Sequence, residues 1–293
     1  MQINTLINQH KKKFDKFYIN ILNKKLDNSL LSKAMKYSSV NGGKRIRAFL
    51  VSQSSKIVKL SQKNAMILSS SIESIHSYSL IHDDLPCMDN DTVRRGKPAA
   101  HIKFGEAPAV LAGSSLLTLA FEIISDKKYS LNFKCKNEIV RSLAICSGHT
   151  GIAGGQDLDL KFENKKKRYS QIIEMQKKKT GKLFNFCCYA PALIAKKNLQ
   201  EQNKMSKLGE DIGLLFQLAD DFLDVKGSKE KTGKSIKKDK KKGKSTLIKI
   251  LGIEKSNKYA ENLKINILRK LKKHGKKAED LNNIVKFILE RKF

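Results

Sequence analysis

The 293 residues carry 59 Lys and Arg against 28 Asp and Glu, a formal charge of +31, on a chain long enough to enclose a deep core. The basic residues are scattered along the whole chain rather than gathered into one patch, and with abundant Asn and Ile the excess reads as compositional drift toward A- and T-rich codons, so no nucleic-acid partner is expected. Five cysteines, Cys87, Cys135, Cys146, Cys187 and Cys188, are odd in number and lack CxxC spacing, which argues against a disulfide framework or zinc ribbon and fits a reducing cytoplasm.

The N-terminal Met1–His10 stretch mixes Gln, Asn and Thr into its apolar residues and runs into Lys11-Lys12-Lys13, the wrong order for an export signal. Apolar residues then recur at three- and four-residue spacing near 14–31, 47–60, 64–84, 107–125, 136–150, 170–196, 203–225, 245–271 and 279–291, with no alternating strand pattern, so the chain reads as all-helical. At the start of the second of these, Gly42-Gly43-Lys44-Arg45-Ile46-Arg47 offers two glycines with accessible N–H groups at a helix N-terminus. Lys44 and Arg47, three apart, project to one side, which makes an anion site or a generic turn.

The 64–84 helix ends in an acidic cluster. Pro86 must disturb it, leaving Asp83 and Asp84 on the last turn and Asp89 and Asp91 on the irregular segment beyond. His76, seven residues before Asp83, shares its stripe, either as a satisfied core histidine or as a ligand contact. Arg94-Arg95-Gly96-Lys97 follows; it can pair with those carboxylates or, with a cation, clamp a diphosphate. The apolar stretch from Ala107 to Ile124 is interrupted by Gly113, Ser114, Ser115, Thr118 and Glu122, so it suits a buried core helix better than stable membrane insertion.

Lys179-Thr180-Gly181, Gly233-Lys234-Ser235 and Gly243-Lys244-Ser245-Thr246 each set a lysine beside a hydroxyl and a glycine, but none follows a strand as a P-loop does. Within 203–225, Gln217, Asp220, Asp221 and Asp224 fall on one helical face. Three carboxylates on one stripe of an apolar helix repel unless a hard cation such as magnesium neutralises them. A solvated acidic face is the alternative, weakened by Leu218, Ala219, Phe222, Leu223 and Val225 around it. The lysine-rich run at about 228–244 reads as a mobile loop over a site, since helical patterning resumes after it.

His76-Ser77-Tyr78-Ser79-Leu80-Ile81-His82-Asp83-Asp84-Leu85-Pro86-Cys87-Met88-Asp89 with Arg94-Arg95-Gly96-Lys97-Pro98 resembles the first aspartate-rich motif of bacterial farnesyl diphosphate synthases, and Phe216 to Asp224 resembles their second. With GGKRIR, Lys-Thr-Gly and Gly151 to Leu160, the likeness runs in order from about Asn41 to Leu251. It implies one polyprenyl synthase domain over 1–293, a helical bundle around a deep central cavity (the isoprenoid synthase fold), normally a cytoplasmic homodimer. Asp83, Asp89 and Asp220 would hold magnesium, about three ions with diphosphate bound, supported by Asp84, Asp221 and Asp224.

The resemblance further implies that Arg94, Lys179, Thr180, Gln217, Lys234 and Lys244 grip the allylic diphosphate, while Lys44, Arg47, His76 and Arg95 bind isopentenyl diphosphate. No side-chain nucleophile is needed, because diphosphate departs with its charge neutralised and the isopentenyl double bond attacks the allylic cation. Tyr78, with the Pro86-Cys87 insertion, implies a farnesyl product, geranylgeranyl or mixed products being the alternative; Tyr78 as simple core filling is the competing reading. Ala48, Ser114 and Asp157 depart from the family pattern at positions that are not named ligands.

Overall fold

A computed structural model describes residues 3–129, 131–230 and 245–290, and the chain divides into two compact units, Met1–Ser142 with Ala190–Lys197, and Leu143–Tyr189 with Asn198–Phe293. Both are helical, as the periodicity predicts.

The first unit begins with α1 (Ile3–Lys25), which starts well before the predicted 14–31 segment. Ile7, Phe14, Tyr18 and Leu22 form its buried stripe, and the polar residues that obscure the pattern lie on its open face. It also stops earlier, because the Ser29 hydroxyl accepts the Ser32 N–H and opens a separate helix, α2 (Leu30–Val40). Next come α3 (Ile46–Val58) and α4 (Gln62–Asp83), the latter capped by Ser61. Buried Leu68, Ile72 and Ile75 alternate on α4 with buried serines small enough for close helix approach. One of these, Ser71, donates to the Ala120 carbonyl of α6 (Glu106–Ser125) at 2.7 Å.

After α4 the chain turns back on itself, then forms a two-residue antiparallel ribbon, β1 (Val93–Arg94) with β2 (Lys97–Pro98). Its turn residues Arg95 (φ 55°) and Gly96 (φ 76°) are both left-handed, the twist that tight hairpins favour. Periodicity could not reveal so short a ribbon. A short helix, α5 (Ala100–Phe104), leads into α6, the predicted core helix. Ala109, Ala112, Leu116, Ala120 and Ile124 of α6 are buried, whereas Val110 and Leu111 are exposed, so only one face is core. By length and apolar composition alone α6 could span a membrane.

α7 (Phe133–Ser147) carries the chain into the second unit. There α8 (Ile152–Phe162), absent from the predicted set, is formed by the glycine-containing GIAGGQDLDL segment. The predicted 170–196 helix is α9 (Tyr169–Gln176), a π-helical turn (Lys177–Gly181) and α10 (Lys182–Ile194) in one continuous run. α11 (Leu199–Glu230), α12 (Leu247–Lys272), a 3-10 turn (Gly275–Ala278) and α13 (Glu279–Glu290) complete the unit. α11 extends through 228–230 of the predicted mobile loop, and the rest of that loop, with Lys234 and Lys244, lies outside the described residues.

Candidate functional site

In the first unit the basic and acidic motifs meet through two backbone devices. α4 ends at Asp83, as Pro86 requires, and the following turn folds back so that the Asp89 N–H donates to the Asp83 carbonyl at 2.8 Å and the Asp91 N–H to the Asp84 carbonyl at 3.1 Å. This brings the late aspartates beside the early ones. The hairpin then returns Arg94 to Asp84, whose carboxylate takes Nε–H at 3.0 Å and an Nη2–H as well, with Asp91 3.5 Å away. Of the two arrangements open to the sequence, self-pairing is the one present for Arg94 and the nearly buried Asp84.

The glycine pair before α3 plays a different part from the one expected. α3 does not begin at the glycines; its N-cap is Arg45, itself left-handed at φ 54°. The carboxylate that reaches the helix N-terminus comes from α4, where Glu73 Oε1 accepts the Ala48 N–H at 3.2 Å. Gly42 (φ 82°) and Gly43 (φ 88°) instead make room for Arg95. A Cβ on Gly43 would sit 2.7 Å from the Arg95 guanidinium carbon, and Arg95 Nη1–H donates to the Gly42 carbonyl at 3.1 Å. A proline at position 48 would lack the N–H that Ala48 donates to Glu73.

Arg47 Nη1–H donates to His76 Nε2 at 3.1 Å, so that nitrogen is unprotonated. Desolvation, then Arg47, Arg95, Arg45 and Arg94, hold the imidazole well below its ordinary value. His76 is therefore a neutral acceptor that orients a guanidinium. Lys44 is exposed at the edge of the same segment. Beneath lies a contact set the sequence reading overlooked: Arg45 donates to Glu73 at 3.0 Å, to Asp15 at 2.8 Å and to the Ser39 carbonyl at 2.6 Å, tying α1, α2, α3 and α4 together. The available signal was Glu73, the lone carboxylate in the otherwise uncharged run from Ala65 to Ser74. Tyr78 is half-buried against the core, edge-on to His82 at 5.0 Å between ring centroids.

In the second unit a cavity of about 160 Å³ is lined by Asp159, Gln176, Lys179, Gln217, Asp221 and Asp224, with Ser245 and Thr246. The π-helical turn sets Thr180 so that its hydroxyl donates to Gln217 Oε1 at 2.9 Å, which turns Gln217 Nε2–H toward Asp221 Oδ1 at 3.1 Å. Gln176 Nε2–H meets the other oxygen of Asp221 at 3.0 Å. Asp221 is 4 % exposed, which rules out a solvated face for it, while Asp220 is half-buried and Asp224 exposed. Lys179 Nζ pairs with Asp159 at 2.6 Å, and the α8 backbone lies so close that a Cβ on Gly155 would fall 2.2 Å from the Lys179 backbone nitrogen. Asp159 and Gln176 escaped the sequence reading, the first hidden in a glycine-containing segment and the second a lone polar residue beside Met175.

The donor set suits magnesium shared with a diphosphate. Among the described residues no three Asp, Glu, His or Cys side chains converge tightly enough to hold an ion by themselves. Magnesium commonly takes only one or two carboxylates and completes its shell with phosphate oxygens and water. The cavity supplies hard oxygen donors together with Lys179 for phosphate charge.

A profile of the polyprenyl synthetase family matches residues 28–287. A farnesyl diphosphate synthase of Micrococcus luteus is 35% identical over 97% of this chain and 99% of its own. A geranylgeranyl diphosphate synthase of Cyanophora paradoxa is 37% identical over 88% of this chain and 86% of its own. The crystal structure of an FPP/GFPP synthase from Zymomonas mobilis covers 98% of both chains, with a TM-score of 0.87 at 34% identity.

Proposed function

The chain belongs to the polyprenyl synthetase family, and we propose that it condenses isopentenyl diphosphate with dimethylallyl and geranyl diphosphates to give farnesyl diphosphate. The observation that carries this is the cavity lined by Lys179, Gln217, Asp221 and Asp224, with Gln217 held by the Thr180 hydroxyl. The family match spans residues of both units, which supports reading 1–293 as one domain.

In this reading Asp83, Asp89 and Asp220 would hold magnesium, with Asp84, Asp221 and Asp224 in support. The cation supplies charge neutralisation as diphosphate leaves. Lys179, Thr180 and Gln217 orient that group, and Arg94 joins them by exchanging Asp84 for phosphate oxygens; Lys234 and Lys244 are proposed on the sequence alone. Arg47, Arg95 and Lys44 bind isopentenyl diphosphate, with neutral His76 accepting from Arg47 and fixing its plane. A neutral imidazole there avoids adding a further cation to a crowded set. The allylic carbon–oxygen bond breaks, the isopentenyl double bond forms the new carbon–carbon bond, and a proton is lost to the departing diphosphate. We further propose a cytoplasmic, soluble homodimer.

Purified protein incubated with isopentenyl and geranyl diphosphates, with and without magnesium, should yield farnesol after phosphatase treatment only when the metal is present. Asp83→Ala and Asp220→Ala should each lose activity severely; product formed without metal would overturn the proposal. Geranylgeraniol as the main product would favour the second reading, which rests on the geranylgeranyl synthases among the relatives.

A further inference from the structure

Asp221 accepts a hydrogen bond at each carboxylate oxygen, from Gln217 on its own helix and from Gln176 across the cavity. The two amides differ in what fixes them. Gln217 is held from behind by Thr180, whereas Gln176 is oriented by Asp221, because a carboxylate only accepts and so selects Nε2. Gln176 Oε1 is thereby turned away from Asp221. That oxygen is buried, has no hydrogen-bond partner among the described residues, and belongs to a cavity-lining residue only 3 % exposed.

Leaving a buried acceptor unmet costs about 1–3 kcal/mol. An apolar side chain like that of the adjacent buried Met175 would fill the space without that cost. Gln176 is also the last residue of α9, three and four positions before Lys179 and Thr180, so the π-helical turn brings all three to one side. We propose that Gln176 is a positioning residue of this site, fixing the Asp221 carboxylate through Nε2 so that Asp221 is oriented toward the cation of a metal–diphosphate ligand.

This rests on the proposed function, and the test separates the two. Mn2+ binding is followed by electron paramagnetic resonance with inorganic diphosphate present, alongside steady-state kinetics and thermal unfolding. Gln176→Met, similar in length but without the amide, should weaken Mn2+ binding about 10-fold or more, the usual range for an outer partner of a metal ligand. It should raise the KM for the allylic diphosphate in parallel and leave that for isopentenyl diphosphate within about twofold of wild type. Gln176→His, which keeps an N–H donor, should recover most of the loss. Gln176→Glu, which sets a second carboxylate against Asp221, should fall between them or below, and it provides the comparison if the Met variant does not fold.

A folded Gln176→Met protein with unchanged Mn2+ binding and unchanged allylic KM would overturn the inference, as would a loss confined to melting temperature. Wild-type protein that neither makes product nor binds Mn2+ with diphosphate would overturn the proposed function and this inference with it.

Discussion

Gly43→Ala tests the seat of Arg95. The new Cβ would lie 2.7 Å from the guanidinium carbon and 2.8 Å from Nη2, against a contact distance nearer 3.5 Å, so the guanidinium has to move by roughly 1 Å. The backbone at φ 88° also becomes unfavourable for a residue with a Cβ, at about 1–2 kcal/mol. Stability should therefore fall modestly, by a few degrees in melting temperature for a chain of this size. Function should fall more selectively. Losing one well-placed charged hydrogen-bond donor is worth about 1.5–3 kcal/mol, or roughly a 10- to 100-fold rise in the KM for isopentenyl diphosphate at saturating allylic substrate. The KM for the allylic diphosphate should move little. If instead both KM values are unchanged in a folded variant, or only the allylic one rises, the seating of Arg95 by the glycine pair has no bearing on isopentenyl diphosphate.

Glu73→Gln leaves buried Arg45 with Asp15 as its one remaining carboxylate among the described residues and should cost about 3 kcal/mol or more, read as the shift in a denaturation midpoint. Gly155→Ala drives a Cβ into the Lys179 backbone and should both destabilise the protein by about 1–3 kcal/mol and raise the allylic KM, while sparing that for isopentenyl diphosphate. His10, packed edge-on to Phe49, is lowered to about 4 by desolvation, with Lys56 and Lys13 adding to the effect and Glu73 and Asp15 opposing it. The unfolded chain then binds the extra proton between pH 6.5 and about 4, so stability is lost as pH falls through that window. Allowing for partial exposure, this amounts to about 1 kcal/mol at pH 5, and His10→Phe should remove it from the pH dependence of unfolding. Tyr78→Ala should lengthen the prenyl products; an unchanged product distribution would leave Tyr78 as core filling.

What could be read from the sequence followed from how strongly each segment's pattern was tied to its environment. The helix ending at Asp83 was legible because proline imposes a break that tertiary contacts do not undo. The stripe of Gln217, Asp220, Asp221 and Asp224 was legible because helical spacing alone puts those residues on one side. α8 was not, since its glycines signal a loop unless one knows that another backbone must pass against Gly155. The N-terminus of α3 misled for a related reason. Glycines before basic residues suggest an open anion nest, yet Glu73 supplies the carboxylate and Arg95 takes the space, and both come from elsewhere in the chain.

The same logic explains why the supporting groups were harder to find than the supported ones. Asp221, Lys179 and Arg47 announce themselves by charge and spacing, whereas Gln176 and Asp159 gain meaning only through the side chains they hold at 3.0 and 2.6 Å; His76 was visible by its spacing from Asp83, but its part as the acceptor for Arg47 at 3.1 Å was not. A diphosphate site needs its cationic and anionic groups close together without their collapsing onto one another. Here each is tethered by a neutral or oppositely charged neighbour: in the second unit Asp221 by two amides, one on its own helix and one on α9, and Lys179 by Asp159 on α8; in the first unit Arg47 by a neutral imidazole on α4. Under the proposed function, a diphosphate reaching the second unit's cavity would meet charges already oriented and compete with Asp159 for Lys179. Raising ionic strength should accordingly weaken diphosphate binding less than it would weaken binding to a loose patch of surface lysines, since buried and partly buried pairs are screened least.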